Sequence, residues 1–386
     1  MSPRPAVLIV AFSDLKRDPR VARQIRWLSD RYAVTALGTG DPEIEGVTFV
    51  PVARRSPRPP DKLALAARLK TRRFANVHER IYDFEPADAI LAGQRFDLIL
   101  ANDVETLPFV LPRRRGAKIL LDAHEFAPRE FDDRFAWRLL FRNYAAWMCE
   151  RFLPEVDGMT TVCAGIAEEY ARSYPVRPQV LTNAPDPCAL EPTPLEPGRI
   201  RILHHGLAIP SRQLERTIEL AAQLDTRFRL DLMLIAPSAR GAAGPRYLEK
   251  LRRLARAQPN VRLIPPVEPD QIVPVSHRYD MGLFLLPPVN YNYLHALPNK
   301  FFEFVQARLA VAIGPSPEMA PYVERHALGV VAADFAPGSL ARALNGLTAD
   351  EVATFKQNSH RAAPELSSTP NRRLLEELVA RLLADG

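Results

Sequence analysis

The residues best suited to chemistry lie between His295 and Glu303, in the run HALPNKFFE that follows the apolar stretch Met281 to Leu286 and a loop of Pro, Asn and Tyr. Here the chain is expected to turn into a helix. Amide N–H groups at a helix start attract phosphate, and Lys300 in the first turn adds a cation. One turn on, Glu303 offers a carboxylate that can accept hydrogen bonds from a ribose diol. The sequel FVQARLAVAIG feeds this helix into a buried strand, the context in which phosphate sites are built on α/β sheets. A second cation, Arg212, follows the run Ile202 to Gly206 and is read at the start of a helix from Gln213 to Leu224. Gly206 lets the backbone approach a ligand closely, and an arginine can hold a diphosphate through two parallel hydrogen bonds.

Two strand ends in the first half carry further polar residues, Asn102-Asp103 and Asp122-Ala-His124-Glu125. His124 suits hydrogen bonding to a reacting ligand or to a developing charge, and Asp103 or Glu125 suits either binding hydroxyls or acting as base. His204 and His205 are adjacent on a strand and face opposite ways, which makes them poor joint metal ligands. The chain has no P-loop, CxxC pair, HExxH helix or Ser-His-Asp order, so hydrolase and NTPase readings lack their core residues.

The elements that must position these residues alternate between short apolar runs and helical stretches, which indicates parallel sheets with helices on both faces. In the first half the expected strands are Val7 to Phe12, Val34 to Leu37, Thr48 to Val52, Leu98 to Ala101, Ile119 to Asp122 and Met159 to Val162. In the second they are Ile202 to His205, Leu230 to Ile235, Val261 to Ile264, Met281 to Leu286, Ala310 to Ile313 and Val330 to Ala332. Helices are expected over Asp18 to Asp30, Arg134 to Phe152, Arg246 to Ala257, Asn299 to Ala307 and Asn371 to Leu383. The fold class is therefore α/β, with two Rossmann-like, doubly wound domains facing a cleft. Residues 1–186 form the first domain, the Pro-rich stretch 187–198 is a linker, residues 199–368 form the second, and the terminal helix 369–386 returns to the first.

Composition agrees with two ordinary globular domains: 386 residues, 47% hydrophobic and 25% charged. Three cysteines without metal-type spacing suit a reducing compartment. No apolar run approaches the ~18 residues of a membrane span, so a cytoplasmic location is expected. The net charge of +6 is local, because residues 54–80 hold nine Lys/Arg against Asp61 and Glu79. That concentration argues against a general nucleic-acid footprint. The segment, with Leu63, Leu65, Ala66, Leu69 and Phe74 among its cations, reads either as a solvated helix face or as a basic amphipathic helix on an anionic membrane at the inner face of the cytoplasmic membrane.

Taken in order, Asp18 to Val21, Asn102 to Pro108, Leu121 to Glu125, Thr161 to Cys163 running into the Ile166 helix, Asn183 to Pro185 and Leu297 to Glu303 resemble the GT-B glycosyltransferases of the family 4 (group 1) type, over nearly the full chain. The resemblance implies retaining, metal-independent transfer from a nucleotide-diphospho-sugar to a glycan or glycolipid acceptor, with no further cofactor. It assigns His124 to catalysis near the donor sugar. Gly206, Arg212, His295, Asn299, Lys300 and Glu303 fall to the donor, and Asp14, Arg20, Asn102, Asp103 and Glu125 to the acceptor. Two departures stand out: His295 occupies the first place of the family's paired glutamates, followed by Ala296 to Asn299 in place of a glycine-rich loop, and Leu207 stands where a basic residue is usual. A nucleotide-sugar epimerase of the same fold and a non-catalytic nucleotide-sugar-binding scaffold are the alternatives.

Overall fold

Apolar runs rich in Val, Ile and Leu, buried on both faces, form the centres of two parallel sheets, as expected where helices cover a sheet on both sides. The computed structural model describes residues 4–55, 58–236 and 243–384. The chain divides into two units: Met1–Thr182 with Asn290–Asn292 and Asn371–Gly386, and Asn183–Val289 with Tyr293–Pro370.

In the first unit the strands are β1 (Ala6–Val10), β2 (Ala33–Gly38), β3 (Thr48–Pro51), β4 (Ala53–Arg54), β5 (Tyr82–Asp83), β6 (Leu98–Asn102), β7 (Lys118–Ala123), β8 (Gly158–Thr161) and β9 (Gln179–Val180). Among the described residues they make a seven-stranded parallel sheet in the order β3-β2-β1-β6-β7-β8-β9, and a small antiparallel pair β4-β5. The order reverses between β1 and β6, so the turns after these strands flank the switch point, where open α/β sheets bind ligands. Asp18 caps the helix Pro19–Ser29 by accepting from the amides of Arg20 and Val21, with a proline in the first turn. The helix Ser368–Ala384 packs here as well, and its Leu375, Leu378, Val379 and Leu382 join Val7, Ile9, Val21 and Ile25 in one core. Asn371 fastens it through hydrogen bonds with Thr182. Asn290–Asn292 is held in the same unit, with Asn292 Oδ1 accepting from Phe126 N at 2.8 Å.

The second unit holds β10 (Ile200–Leu207), β11 (Phe228–Ile235), β12 (Val261–Ile264), β13 (Met281–Phe284), β14 (Ala310–Ile313) and β15 (Gly329–Val331), in the order β12-β11-β10-β13-β14-β15. Its switch point lies between β10 and β13. The helix Asn299–Gln306 buries Phe301, Phe304 and Val305, each contributing roughly 1.5–3 kcal/mol on leaving water. Gly282 on β13 leaves room for Phe304, since a Cβ there would lie 2.1 Å from its ring. The helix is thereby clamped on the strand that precedes it.

Some expectations change in detail. The aromatic-rich stretch 134–152 is two helices, Phe135–Leu140 and Arg142–Phe152, rather than one. Three two-residue strands, β4, β5 and β9, carry too little pattern to be read. Arg212 ends the 3-10 turn Pro210–Arg212, not an α-helix start, because Gln213 adopts a left-handed conformation (φ 48°) before the helix Glu215–Ala221 begins. In the basic segment Ser56 and Pro57 lie outside the described residues. Its helix Pro59–Lys70 turns Leu69 inward, and Phe74 beyond it is buried too, so the apolar stripe is only partly outward while Leu63 is 73% exposed. Among the described residues no helix is long and apolar enough to cross a membrane.

Candidate functional site

On the second unit the site grows from the end of β10. Gly206 has φ +130°, a conformation side chains rarely adopt, and a Cβ built on it would lie 2.9 Å from Lys300 Nζ and 3.4 Å from Arg212 Nη1. Both cations therefore converge on the space that the glycine leaves. Lys300 is buried, donates to His205 O at 2.6 Å and lies over the Phe284 ring, 4.4 Å from its centroid. Burial first, and then the charge of Arg212, push its pKa well below the ordinary lysine value, while Glu303 opposes them. An incoming anion would reverse that shift, since it favours the charged ammonium.

Glu303 lies one turn further along, with Oε2 3.4 Å from His205 Nε2 but without a hydrogen bond to it. His205 is neutral: burial, then Lys300 and Arg212, lower its pKa. His204 faces the other way and bonds Leu283 O through Nδ1 at 2.9 Å, a structural role. Asn299 is the first residue of the clamped helix, behind Pro298. His295 Nδ1 stands 2.8 Å from Glu318 Oε1. A carboxylate is thus present beside position 295 after all, brought by the loop after β14. Nothing in local spacing signals Glu318, which is 23 residues away.

On the first unit the strand-end residues gather around Asp122, which is fully buried. Arg20 grips it with Nε at 2.6 Å and Nη2 at 2.7 Å, Thr160 donates at 2.7 Å, and Gln24 donates as well. This corrects the reading of Arg20 as an acceptor ligand. Its fork is spent on Asp122, its Nη1 reaches Thr182 O, and only 5% of the residue is exposed. A carboxylate with no access to water needs that partner, and the partner is then withdrawn from the surface.

His124 lies beside this pair. Its Nδ1 is 3.3 Å from Asp103 Oδ2, and its Nε2 is 3.1 Å from Asn102 Oδ1 and 3.5 Å from Asp122 Oδ2. Burial alone would lower its pKa, but the charge of Asp103 and the hydrogen bond and charge of Asp122 prevail and raise it to about 9. At neutral pH it is an imidazolium and can donate, not abstract, a proton. The stability it contributes is full below the ordinary histidine value and is lost as pH rises through about 9. Denaturant titrations of the wild type and His124→Gln from neutral to alkaline pH should therefore converge as pH rises. A gap that does not close with pH would contradict this charge state.

Asp103 itself has φ +65° and ψ 150°, a region costing about 1–3 kcal/mol for a residue other than glycine. Its carboxylate accepts from His124 N at 2.8 Å, and its own N–H donates to Asp122 O. Glu125 is exposed and accepts from Asn292 Nδ2 at 3.4 Å. Asp14 is exposed, bridged through its backbone to Gly40, and stands apart from the Asp122 cluster's hydrogen bonds.

No protein-family model matches the chain, and no curated protein does. Solved structures do resemble it. Sucrose-phosphate synthase from Thermosynechococcus elongatus superposes with a TM-score of 0.72 at 13% identity, covering 99% of this chain and 100% of that one. HepE from Anabaena, in complex with UDP-glucose, gives 0.68 at 14%, covering 97% and 99%. WaaG, a glycosyltransferase involved in lipopolysaccharide biosynthesis, gives 0.64 at 16%, covering 98% and 100%. With two doubly wound parallel-sheet units and these neighbours, the chain has the GT-B fold.

Proposed function

We propose that this chain is a glycosyltransferase that moves a sugar from a nucleotide-diphospho-sugar, held on the second unit, to a glycan or glycolipid acceptor bound by the first. The observation that carries the reading is the convergence of Lys300 and Arg212 on Gly206, with Glu303 one turn further along the same helix. As the anomeric C–O bond breaks, its electron pair leaves with the β-phosphate of the nucleoside diphosphate, whose growing charge meets two cations and the amides at the start of the helix Asn299–Gln306, while the acceptor hydroxyl oxygen bonds the anomeric carbon and gives its proton to the departing phosphate oxygen. Glu303 accepts from the ribose hydroxyls. His295, oriented by Glu318, lies beside the donor sugar. His124, a fixed imidazolium, donates to a sugar oxygen rather than acting as base. The likeness to HepE, whose structure contains UDP-glucose, supports the donor class.

In this reading the two cations take the place of a divalent ion and no cofactor is used. Transfer should proceed at the same rate with EDTA, with the product keeping the donor's anomeric configuration by NMR. A rate restored only by a divalent ion, or an inverted product, would overturn the corresponding part of the mechanism. Release of free epimerised sugar nucleotide would instead identify an epimerase.

The cytoplasmic enzyme meets its membrane through residues 54–80. Leu63 is exposed there, and the helix Phe135–Leu140, which touches Pro59–Lys70, adds exposed Phe135 and Leu139 beside Arg134 and Arg138. Apolar side chains ringed by arginines suit an anionic interface. Phosphatidylglycerol vesicles should sediment the wild type and release Leu63→Glu/Phe135→Glu, while equal sedimentation of both would exclude this surface.

A further inference from the structure

Near the end of β10 stand two histidines, and the second carries a buried atom with no task in the chemistry described above. His205 is 4% exposed, and its Nε2 has no hydrogen-bond partner. Its place is fixed from three sides. The residue lies in register with Met233 of β11, its carbonyl accepts from Lys300 Nζ at 2.6 Å, and its ring meets the Phe304 ring edge-on, with centroids 5.3 Å apart and planes at 85°. A buried polar atom left unpaired is costly, so its presence here calls for a reason.

Glu303 supplies one. Its Oε2 stands 3.4 Å from that nitrogen, close to it but not placed as a hydrogen bond. The ring is held, whereas the Glu303 carboxylate swings on a longer side chain. A movement of about 0.5 Å brings the pair to the ordinary N–H···O length. Burial, then Lys300 and Arg212, keep the ring neutral, so Nε2–H can donate to the carboxylate without cancelling its charge. A carboxylate oriented in this way loses less freedom when it grips a diol.

We propose that His205 is the positioning residue for Glu303: its Nε2–H holds Oε2 so that the other lone pairs of the carboxylate face both ribose hydroxyls, and it thereby sets the preference for a ribonucleotide donor over one lacking them. This deepens the function proposed above and rests on it in taking Glu303 as the ribose contact. His205 itself touches no ligand. One residue then serves both ends of the donor, its carbonyl fixing Lys300 for the diphosphate and its ring fixing Glu303 for the ribose. In the empty protein the unpaired Nε2 is a burden, relieved when the donor draws Glu303 into line.

The test is calorimetric binding of UDP, GDP and ADP, each beside its 2′,3′-dideoxy counterpart, to the full chain as wild type, His205→Phe, His205→Gln, Glu303→Gln and His205→Phe/Glu303→Gln. For the diphosphate that binds tightest, the wild type should favour the ribose form at least about tenfold, the worth of a hydrogen bond to a charged group. His205→Phe keeps a ring against Phe304 but removes the donor, so the preference should fall to about threefold or less, while the dideoxy form binds as before and the melting temperature holds or rises. Glutamine can place its Nε2 near the lost nitrogen, and His205→Gln should keep most of the preference. In the Glu303→Gln background His205→Phe should change nothing further, since the two act through one contact. A wild type indifferent to the ribose hydroxyls, a preference unchanged in His205→Phe, an equal loss of both nucleotide forms, or full additivity in the double variant would overturn the proposal and leave the diphosphate site standing. No binding of any diphosphate to any of these proteins would instead remove the proposed function, and this assignment with it.

Discussion

Lys300→Ala should cut transfer by about a hundred- to a thousandfold, the scale seen when one preorganised stabiliser of a developing negative charge is removed. The loss should fall mainly on kcat, because the charge that Lys300 meets grows as the bond to the β-phosphate breaks. The fold should tolerate the change. Lys300 is buried, and burial lowers its pKa, so in the empty protein its charge is a burden; what is lost is its hydrogen bond to His205 O, about 1 kcal/mol. A second readout separates this role from simple packing. With its pKa held down before binding, Lys300 should take up a proton when a diphosphate arrives, and calorimetry in buffers of different ionisation enthalpy should show that uptake in the wild type and not in Lys300→Ala. An alanine variant with full turnover would refute the assignment.

Arg20→Ala should destabilise the first unit by about 3–5 kcal/mol, the cost of stranding a buried charge. Asp122 has no exposure, and with Arg20 gone the donors that remain are the neutral Gln24 and Thr160 and the His124 imidazolium, whose Nε2 is 3.5 Å away and which compensates only in part. Burial by itself would raise the Asp122 pKa, but the Arg20 charge and the hydrogen bonds of His124 and Arg20 hold it well below the usual aspartate range. The stability this group supplies is thus present above the ordinary aspartate value and lost as pH falls below it. In Arg20→Ala the loss should begin at higher pH. Adding Asp122→Asn should recover much of the deficit, because the pair couples directly. Urea melts of the two single variants and the double variant measure this, and an Arg20→Ala protein within about 0.5 kcal/mol of wild type, as for an ordinary surface change, would contradict it.

What was legible in the sequence, and what was not, divides along physical lines. The expected strands are present because central parallel strands such as Ala6–Val10 and Ala310–Ile313 must be apolar on both faces. No helix or strand forms between Leu181 and Pro197, where prolines crowd, and the stretch from Asn183 onward is grouped with the second unit. Arg20 could not be placed, since its partner Asp122 is 102 residues away and only the sheet brings them together. The motif around Lys300 indicated a helix start but not that packing of Phe301 and Phe304 would turn the lysine inward toward Gly206.

The most direct measurement is a thermal-shift panel of UDP, GDP, ADP and TDP sugars on the wild type and Arg212→Ala. At least one sugar nucleotide, at a concentration about a hundredfold above its Kd, should stabilise the wild type by about 2.7 kcal/mol and leave Arg212→Ala nearly unshifted. No shift with any member of the panel, or the same shift in both proteins, would contradict a diphosphate site built on Gly206, Arg212 and Lys300.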